Sequence, residues 1–211
     1  MRQRVITAAI CIPIGLLLAI LGGWWLGILL LLLAALGIRE YLALVQKISP
    51  KEILPWVLVG VAYLLLGFLS MLGLRLAYPN FTLLLWLLLT IWITDSGAYF
   101  IGRRFGRRAL APRISPNKTW EGAVGGGFCG MLIAGTYLSL LLQLNFFLAL
   151  LLTLIISTLG QLGDLLESKI KRLAGVKDSG NVFPGHGGVL DRFDSLLLSA
   201  PFAYVLLLLV G

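Results

Sequence analysis

Long stretches without charge constrain this sequence more than any other feature. Residues 122–163 include no Asp, Glu, Lys, Arg or His. A membrane-spanning helix needs about 20 apolar residues, so this stretch can supply two of them, with a turn at residues 143–145. Of the 211 residues, 59% are hydrophobic and 12% are charged. A soluble domain could not bury that much apolar surface, so the sequence predicts an integral membrane protein.

Uncharged runs of this kind recur along the chain and predict an all-α, polytopic membrane protein with about seven transmembrane helices, in a range of about six to eight. The first run follows Met-Arg-Gln-Arg, but it is long for a signal peptide and no small-residue cleavage site follows, so we interpret it as a spanning helix. Arg39 and Glu40 interrupt the second run and are expected to mark the membrane interface. The predicted spans are residues 5–21, 22–45, 53–74, 78–101, 122–142, 146–163 and 195–210.

The distribution of positive charge predicts the orientation. If the N-terminus lies in the cytoplasm, sixteen of the 17 Lys and Arg residues fall on the cytoplasmic side, and Arg75 alone falls outside. This agrees with the positive-inside rule. The net charge of +8 is therefore a topology signal, and nucleic acid is not expected as a partner. The basic loops would suit anionic headgroups and phosphates, and the loop 164–194 is expected to be cytoplasmic.

The fourth run contains an acidic residue, Asp95. Asp95, Tyr99 and Arg103 recur every four residues, which places them on one face of a helix. A carboxylate within the membrane is costly, so it either pairs with a basic residue that fixes helix packing or faces a polar cavity. We favour the cavity and expect Asp95 to contribute to substrate binding.

The segment after this run is basic and then reads Ser-Pro-Asn-Lys-Thr-Trp-Glu-Gly, residues 115–122. Ser115-Pro116 predicts a helix start, because proline suits the first helical position. Lys118 and Glu121 would then lie in the first turn, next to the site. The following residues match the pattern GxGxxG, but no strand precedes them and the surroundings are apolar. The repeat of Gly122, Gly126 and Gly130 instead predicts close packing of membrane helices.

The stretch 163–194 concentrates the scarce charge of the chain. It contains five of the nine acidic residues and the single histidine, His186. Asp164 would lie at one helix end, and Asp191 and Asp194 would share a face at the start of the next. Facing carboxylates of this kind make an oxygen-rich site that suits Mg²⁺. The glycine-rich loop between them offers backbone N–H groups to phosphates. A solvated loop with accidental spacing of acids is the alternative.

The same stretch carries a resemblance to a known family. Residues 168–194, SKIKRLAGVKDSGNVFPGHGGVLDRFD, are similar to the signature of phosphatidate cytidylyltransferases, also called CDP-diacylglycerol synthases. The upstream stretch DSGAYFIGRRFGRR, with SPNKTWEG after it, resembles a second region of that family. Together they extend from Asp95 to Asp194, nearly half of the chain. The resemblance implies one membrane domain over residues 1–211, with N-terminal helices in 1–75 and a catalytic portion in 76–211.

The resemblance also implies the reaction and its site. CTP, or dCTP, would react with phosphatidic acid to give CDP-diacylglycerol and pyrophosphate in phospholipid biosynthesis. Mg²⁺ or Mn²⁺, with or without a monovalent cation, would be bound by Asp164, Asp191 and Asp194, and a homodimer is an open alternative to a monomer. Phosphate-clamping residues would be Lys169, Lys171, Arg172, Lys177 and Arg192. Other substrate-binding residues would be Asp95, Lys118, Glu121, Glu167, Ser168, Asp178, His186, Gly187 and Gly188.

Two other functions are alternatives to this reaction. Another membrane enzyme of lipid phosphate chemistry is the nearer alternative, either a CDP-alcohol phosphotransferase or a CTP-dependent polyprenol kinase. The former would need an acidic D-G-x-x-A-R motif, which the sequence lacks. A transporter with Asp95 in an ion path is the second alternative. The one-sided charge and the absence of an internal repeat argue against it.

Overall fold

The computed structural model describes residues 2–48, 53–78 and 81–210. Residues 49–52, which end the predicted second cytoplasmic segment, residues 79–80 of the predicted fourth span, and the two chain termini, Met1 and Gly211, lie outside the described residues. Within the described part, the chain forms helices and one short hairpin, so the all-α membrane class is confirmed. The helices are α1 Arg2–Leu21, α2 Gly23–Ile48, α3 Ile53–Ala77, α4 Thr82–Phe105, α5 Trp120–Leu142, α6 Phe146–Leu173 and α7 Leu190–Val210. The hairpin pairs β1 Ala109–Ala111 with β2 Ser115–Thr119.

Six of the described helices, α2 to α7, are long and apolar enough to cross a membrane. The apolar part of α1, Ile6–Leu21, is shorter. Each helix overlaps one of the predicted spans, although α4 begins at Thr82 and not at the predicted residue 78. Many large apolar side chains point outward, among them Trp24, Leu31 and Leu140. A lipid environment would cover these side chains, whereas water would make them unfavourable.

Helices α4 and α5 pack closely because α5 presents glycines to α4. A Cβ atom added at Gly122 would lie 2.7 Å from the carbonyl oxygen of Ala98. One added at Gly126 would lie 2.7 Å from the backbone nitrogen of Ala98 and closer still to the carbonyl oxygen of Thr94. Small residues let membrane helices approach in this way, since apolar burial gives little driving force in lipid. The predicted role of this glycine repeat is confirmed.

Buried polar side chains connect α4 to α6. Trp86 donates a hydrogen bond from Nε1 to Thr153 Oγ1 over 3.1 Å. The hydroxyls of Thr94 and Ser157 lie 2.8 Å apart. Interhelical hydrogen bonds in membranes contribute about 0.6 kcal/mol on average. They fix the relative rotation of the two helices that carry Asp95 and Asp164.

The turn between α1 and α2 lies at the end of the helix bundle that is away from the α6–α7 loop. Gly22 ends α1 with a positive φ of 64°. Arg75 of α3 donates from Nε to the carbonyl oxygen of Ala19 over 3.1 Å, and from Nη2 to that of Ile20 over 2.9 Å. A cation at a helix C-terminus is favourable because the helix dipole is negative there. Arg75 therefore stabilises the end of α1.

Two local predictions were wrong. No helix starts at Ser115, because Ser115 pairs with Ala111 in the hairpin. The helix starts instead at Trp120, where Thr119 is the N-cap and its side chain accepts a hydrogen bond from the backbone nitrogen of Gly122. The second span is also not interrupted at Glu40. Helix α2 continues through that residue to Ile48, and Glu40 is buried at 6% exposure.

The segments predicted to share one side of the membrane lie at the same end of the bundle. Thr7, near the start of α1, donates to the carbonyl oxygen of Pro184 in the α6–α7 loop over 3.1 Å. Arg172 at the end of α6 donates to the carbonyl oxygen of Ile114 in the hairpin over 3.2 Å. Glu40 of α2 contacts the same loop through Ser179. These contacts gather the N-terminus, the end of α2, the hairpin and the loop around one region.

Candidate active site

A cavity of about 1150 Å³ opens within this end of the bundle. On α4, the residues that line the cavity extend from Leu84 to Arg103. This is about 28 Å along the helix axis, at about 1.5 Å per residue. The apolar half is completed by side chains of α1, α2 and α3. The polar half is formed by α4, the hairpin, α6, α7 and the preceding loop. One cavity thus combines a long apolar channel with a charged end.

Three of the four carboxylates that line the cavity form one cluster at its charged end, and Asp191 is the fourth. Asp95, Asp164 and Asp194 make up this cluster, and their negative charges repel one another. Lys118 of the hairpin lines the cavity as well and forms an ion pair with Asp164. Asp95 is exposed to the cavity, as the sequence predicted. Neighbouring like charges destabilise their ionised forms, and the cation of Lys118 offsets part of that cost.

The face of α4 that carries Asp95 continues toward the hairpin. Arg103 donates from Nη1 to the hydroxyl of Tyr99 over 3.2 Å, and both residues line the cavity. The predicted common face of these residues with Asp95 is therefore confirmed. A guanidinium at this position can bind a phosphate by two parallel hydrogen bonds.

Asp191 has a different environment from Asp194, although both belong to the first turns of α7. Its Oδ1 accepts from Lys171 Nζ over 2.6 Å, and its Oδ2 accepts from the backbone nitrogens of Ser179 and Gly188, each over 2.8 Å. Lys171 is also 2.5 Å from a carboxylate oxygen of Glu167. Asp191 thus connects the loop to α6 and α7 through these hydrogen bonds. Only part of the Asp191 side chain faces the cavity.

The glycine-rich part of the loop forms a tight turn beside the cavity. The backbone nitrogen of Phe183 donates to the carbonyl oxygen of Gly187 over 2.9 Å, and Gly187 has a positive φ of 85°. His186 and Arg192 line the cavity, and Arg192 Nε donates to the carbonyl oxygen of His186 over 2.9 Å. The Nδ1 atom of His186 is buried and has no hydrogen-bond partner among the described residues. A buried nitrogen in that state is available to a ligand.

Several predicted site residues do not reach the cavity. Lys169, Lys177 and Asp178 are exposed and lie away from its lining. Arg172 donates to backbone carbonyls of the hairpin and the loop. Glu121 accepts from the backbone nitrogens of Arg107 and Arg108. Their positions suit a scaffold for the loop and hairpin, or contact with a substrate that protrudes from the cavity. Ser168 donates to Asp164 over 3.3 Å.

Sequence reasoning missed Glu40. Its carboxylate accepts hydrogen bonds from the backbone nitrogens of Val189 and Leu190 over 3.0 and 3.1 Å and lies 3.0 Å from the hydroxyl of Ser179. The available signal was an acid, next to Arg39, in a helix that is apolar over most of its length. It was interpreted as an interface marker, because sequence spacing cannot show that α2 ends against the start of α7.

Comparison with known proteins gives matches over most of this chain. The sequence profile described as the cytidylyltransferase family matches residues 54–210. A phosphatidate cytidylyltransferase of Bacillus subtilis (strain 168) is 44% identical over 181 residues, which cover 84% of this chain and 67% of that protein. Those of Staphylococcus haemolyticus (strain JCSC1435) and Staphylococcus aureus (strain COL) are 46% and 45% identical over 152 residues, or 72% of this chain and 58% of theirs.

The chain belongs to the cytidylyltransferase family. The matched residues begin within α3 and include the hairpin, the loop and every carboxylate that lines the cavity. The chain spans less than two thirds of the staphylococcal relatives that it matches. Glu40 and the other residues of α1 and α2 lie upstream of the match to the family profile.

The resemblance to this family implies a divalent cation. The carboxylates of the cavity can be examined for their ability to bind one. No group of three or more His, Cys, Asp or Glu side chains in the described part of the chain is arranged so that it could hold a metal ion. However, Mg²⁺ is usually bound by one or two carboxylates together with substrate phosphates. Asp164 and Asp194, which line the cavity from the neighbouring helices α6 and α7, fit that description. Asp191 already has several partners, and its role as a ligand stays a prediction.

Proposed function

We propose that this chain transfers CMP from CTP to phosphatidic acid and releases pyrophosphate. The shape of the cavity carries the proposal. Its apolar half, lined by α1, α2 and α4, suits acyl chains, and its charged half suits the phosphates of both substrates. Family membership and the names of the relatives support the same reaction. A soluble substrate alone would have no use for the apolar half.

The reaction needs no nucleophilic side chain. An ionised oxygen of the phosphatidate forms a bond to the α-phosphorus of CTP. The bond from that phosphorus to the oxygen that bridges it to the β-phosphorus breaks, and pyrophosphate leaves with the electron pair. The protein must therefore position the two phosphates and offset their charge.

The residues that line the charged end can supply both needs. Arg103, Lys118 and Arg192 present cations to the cavity, and charge-assisted hydrogen bonds from such groups bind phosphates strongly. Asp164 and Asp194 would bind a divalent cation, which stabilises the attacking and leaving oxygens of such a transfer. Lys118 also forms an ion pair with Asp164.

Access to the site follows from the walls of the cavity. Phosphatidic acid would arrive from the lipid between α1 and α4, and CTP from the side of the hairpin and the loop. The positive-inside distribution of Lys and Arg supports a cytoplasmic position for that side. The product CDP-diacylglycerol would leave by the route of the lipid substrate.

The test is incubation of the purified chain with CTP labelled in the cytosine base, phosphatidic acid and Mg²⁺, followed by lipid extraction. Label in the lipid phase, with one pyrophosphate released for each labelled lipid, is the expected result. Omission of phosphatidic acid should abolish both signals. Release of CDP, with no label in the lipid, would contradict the proposal and favour a kinase. No reaction with CTP, but release of CMP from an added CDP-alcohol, would contradict it and favour a CDP-alcohol phosphotransferase.

A further inference from the structure

We propose that Glu40 is a positioning residue that fixes the start of α7 and the catalytic loop from outside the segment matched by the family profile. The inference rests on the proposed function, since it concerns the same site. Glu40 lies on α2 and is 6% exposed. It forms no ion pair with any basic residue in the described part of the chain. A buried carboxylate of this kind is costly unless its oxygens are fully hydrogen-bonded.

The start of α7 supplies those hydrogen bonds. Oε1 of Glu40 accepts from the backbone nitrogen of Val189 over 3.0 Å, and Oε2 accepts from that of Leu190 over 3.1 Å. The first N–H groups of a helix have no partner within the helix. They also form the positive end of its dipole, which favours a negative charge there. Glu40 therefore caps α7 from a different helix.

The loop is built around this carboxylate. A Cβ atom added at Gly180 would lie 2.7 Å from Cδ of Glu40, and one added at Gly188 would overlap the carboxylate oxygens. Glycine at both positions lets the backbone pass directly over Glu40. The side chain and the two glycines thus make one packed unit, which a larger residue at either glycine would break.

Ser179 connects this unit to the ion pairs of the site. Its hydroxyl lies 3.0 Å from Oε2 of Glu40 and 2.9 Å from Oδ2 of Asp191, and its single proton can serve either carboxylate. Asp191 in turn is bonded to Lys171. A continuous network therefore runs from α2 through the loop to α6. Asp194 follows Asp191 by one helical turn, so the position of its carboxylate in the cavity depends on this network.

The test compares Glu40→Gln with Val45→Ala. Glutamine keeps the shape, but its amide group would point an N–H donor at the N–H of Leu190 or Val189. Val45 is fully buried on α2 and does not line the cavity, so its truncation destabilises the same helix without removing a hydrogen bond to the loop. For each variant, hydrogen exchange at the amides of Val189 and Leu190, melting temperature and kcat are measured on one detergent preparation.

Glu40→Gln is expected to speed exchange at these two amides and to lower kcat by at least about tenfold, because small misplacement of reacting groups is costly. The KM for phosphatidic acid should stay unchanged. Val45→Ala should lower the melting temperature with normal exchange at these amides and normal kcat. Equal kcat in the two variants at equal melting temperature would overturn the proposal, as would unchanged exchange in Glu40→Gln.

Ser179→Ala keeps the proposal testable if Glu40→Gln does not fold. Loss of the bridging hydroxyl should speed exchange in the loop around residue 179 and lower kcat, and normal values of both would overturn the network. Hydrogen exchange is measured without substrate, so it tests the role of Glu40 independently of the proposed transferase activity. A wild-type protein with protected amides at Val189 and Leu190 but no transferase activity would contradict the reaction and leave the capping by Glu40 supported.

Discussion

Lys118 forms an ion pair with Asp164 across the charged end of the cavity. The contact joins the hairpin to α6, two elements that are separated by the whole of α5. It also places a cation among carboxylates that repel one another. The hairpin is therefore part of the site. The sequence predicted Lys118 next to the site, but in the first turn of a helix and not in a strand.

Replacement of Lys118 by methionine should lower activity more than stability. The variant keeps the length of the side chain but leaves Asp95, Asp164 and Asp194 without this cation, so we expect turnover to fall at least about tenfold. Lys118→Arg should keep more of the activity. Lys47→Met, a matched loss of charge on an exposed side chain of α2, is the control. Similar turnover in Lys118→Met and Lys47→Met would remove Lys118 from the site.

Asp191 and Asp194 should respond differently to conversion to asparagine. Asp194 faces the cavity, so Asp194→Asn should abolish most Mg²⁺-dependent turnover with little change in melting temperature. Asp191→Asn should lower the melting temperature as well, because it weakens the bonds to Lys171, Ser179 and Gly188. Loss of one partner in a buried ion pair costs about 3–5 kcal/mol. A stable but inactive Asp191→Asn would instead favour Asp191 as a direct metal ligand.

The sequence predicted the helices well because the membrane leaves few alternatives. A spanning segment must satisfy its backbone groups internally, so each uncharged run became a helix. Local chemistry even marks some ends. Asn145, in the predicted turn, caps α6 by accepting from the backbone nitrogens of Phe147 and Leu148.

The site was predicted less completely because its residues act across helices. Asp164 and Asp194 could be predicted as site residues because each is a charged residue next to an apolar run. Glu40 and Ser179 could not, since their partners lie on other elements and no local spacing relates them. The start of α5 was misplaced for a similar reason. Pro116 suits a helix start, but β1 offers backbone partners to β2 that the sequence pattern does not reveal.

Gly126→Ala should separate α4 from α5. An added methyl group would meet the backbone of Thr94 and Ala98, and overpacking of this kind costs about 1–3 kcal/mol. We expect a lower melting temperature and lower activity, because Asp95 moves with α4. Gly27→Ala is the matched control, since nothing lies within 4 Å of its added Cβ. It should be neutral or stabilising by up to about 1 kcal/mol. Equal melting temperatures would show that close packing of α4 on α5 is unimportant.

Orientation can be tested with two introduced cysteines in a background in which Cys11 and Cys129 are replaced by alanine. Asn145 and Asn181 are both exposed and lie in different loops. With the N-terminus in the cytoplasm, a membrane-impermeant maleimide should label Asn145→Cys in intact cells but label Asn181→Cys only after lysis. Asn181 is preferable to Ser179, which is buried in the loop network. The reverse labelling pattern would place the site outside the cell.

The central claim is that the cavity transfers a cytidylyl group to a lipid phosphate. Its most direct measurement uses two parallel reactions of purified protein, phosphatidic acid and Mg²⁺, one with CTP labelled at the α-phosphorus and one with CTP labelled at the γ-phosphorus. The account predicts that the α-label enters the lipid phase and that the γ-label appears in pyrophosphate. Recovery of the γ-label in lipid, with the α-label left in soluble CDP, would contradict it.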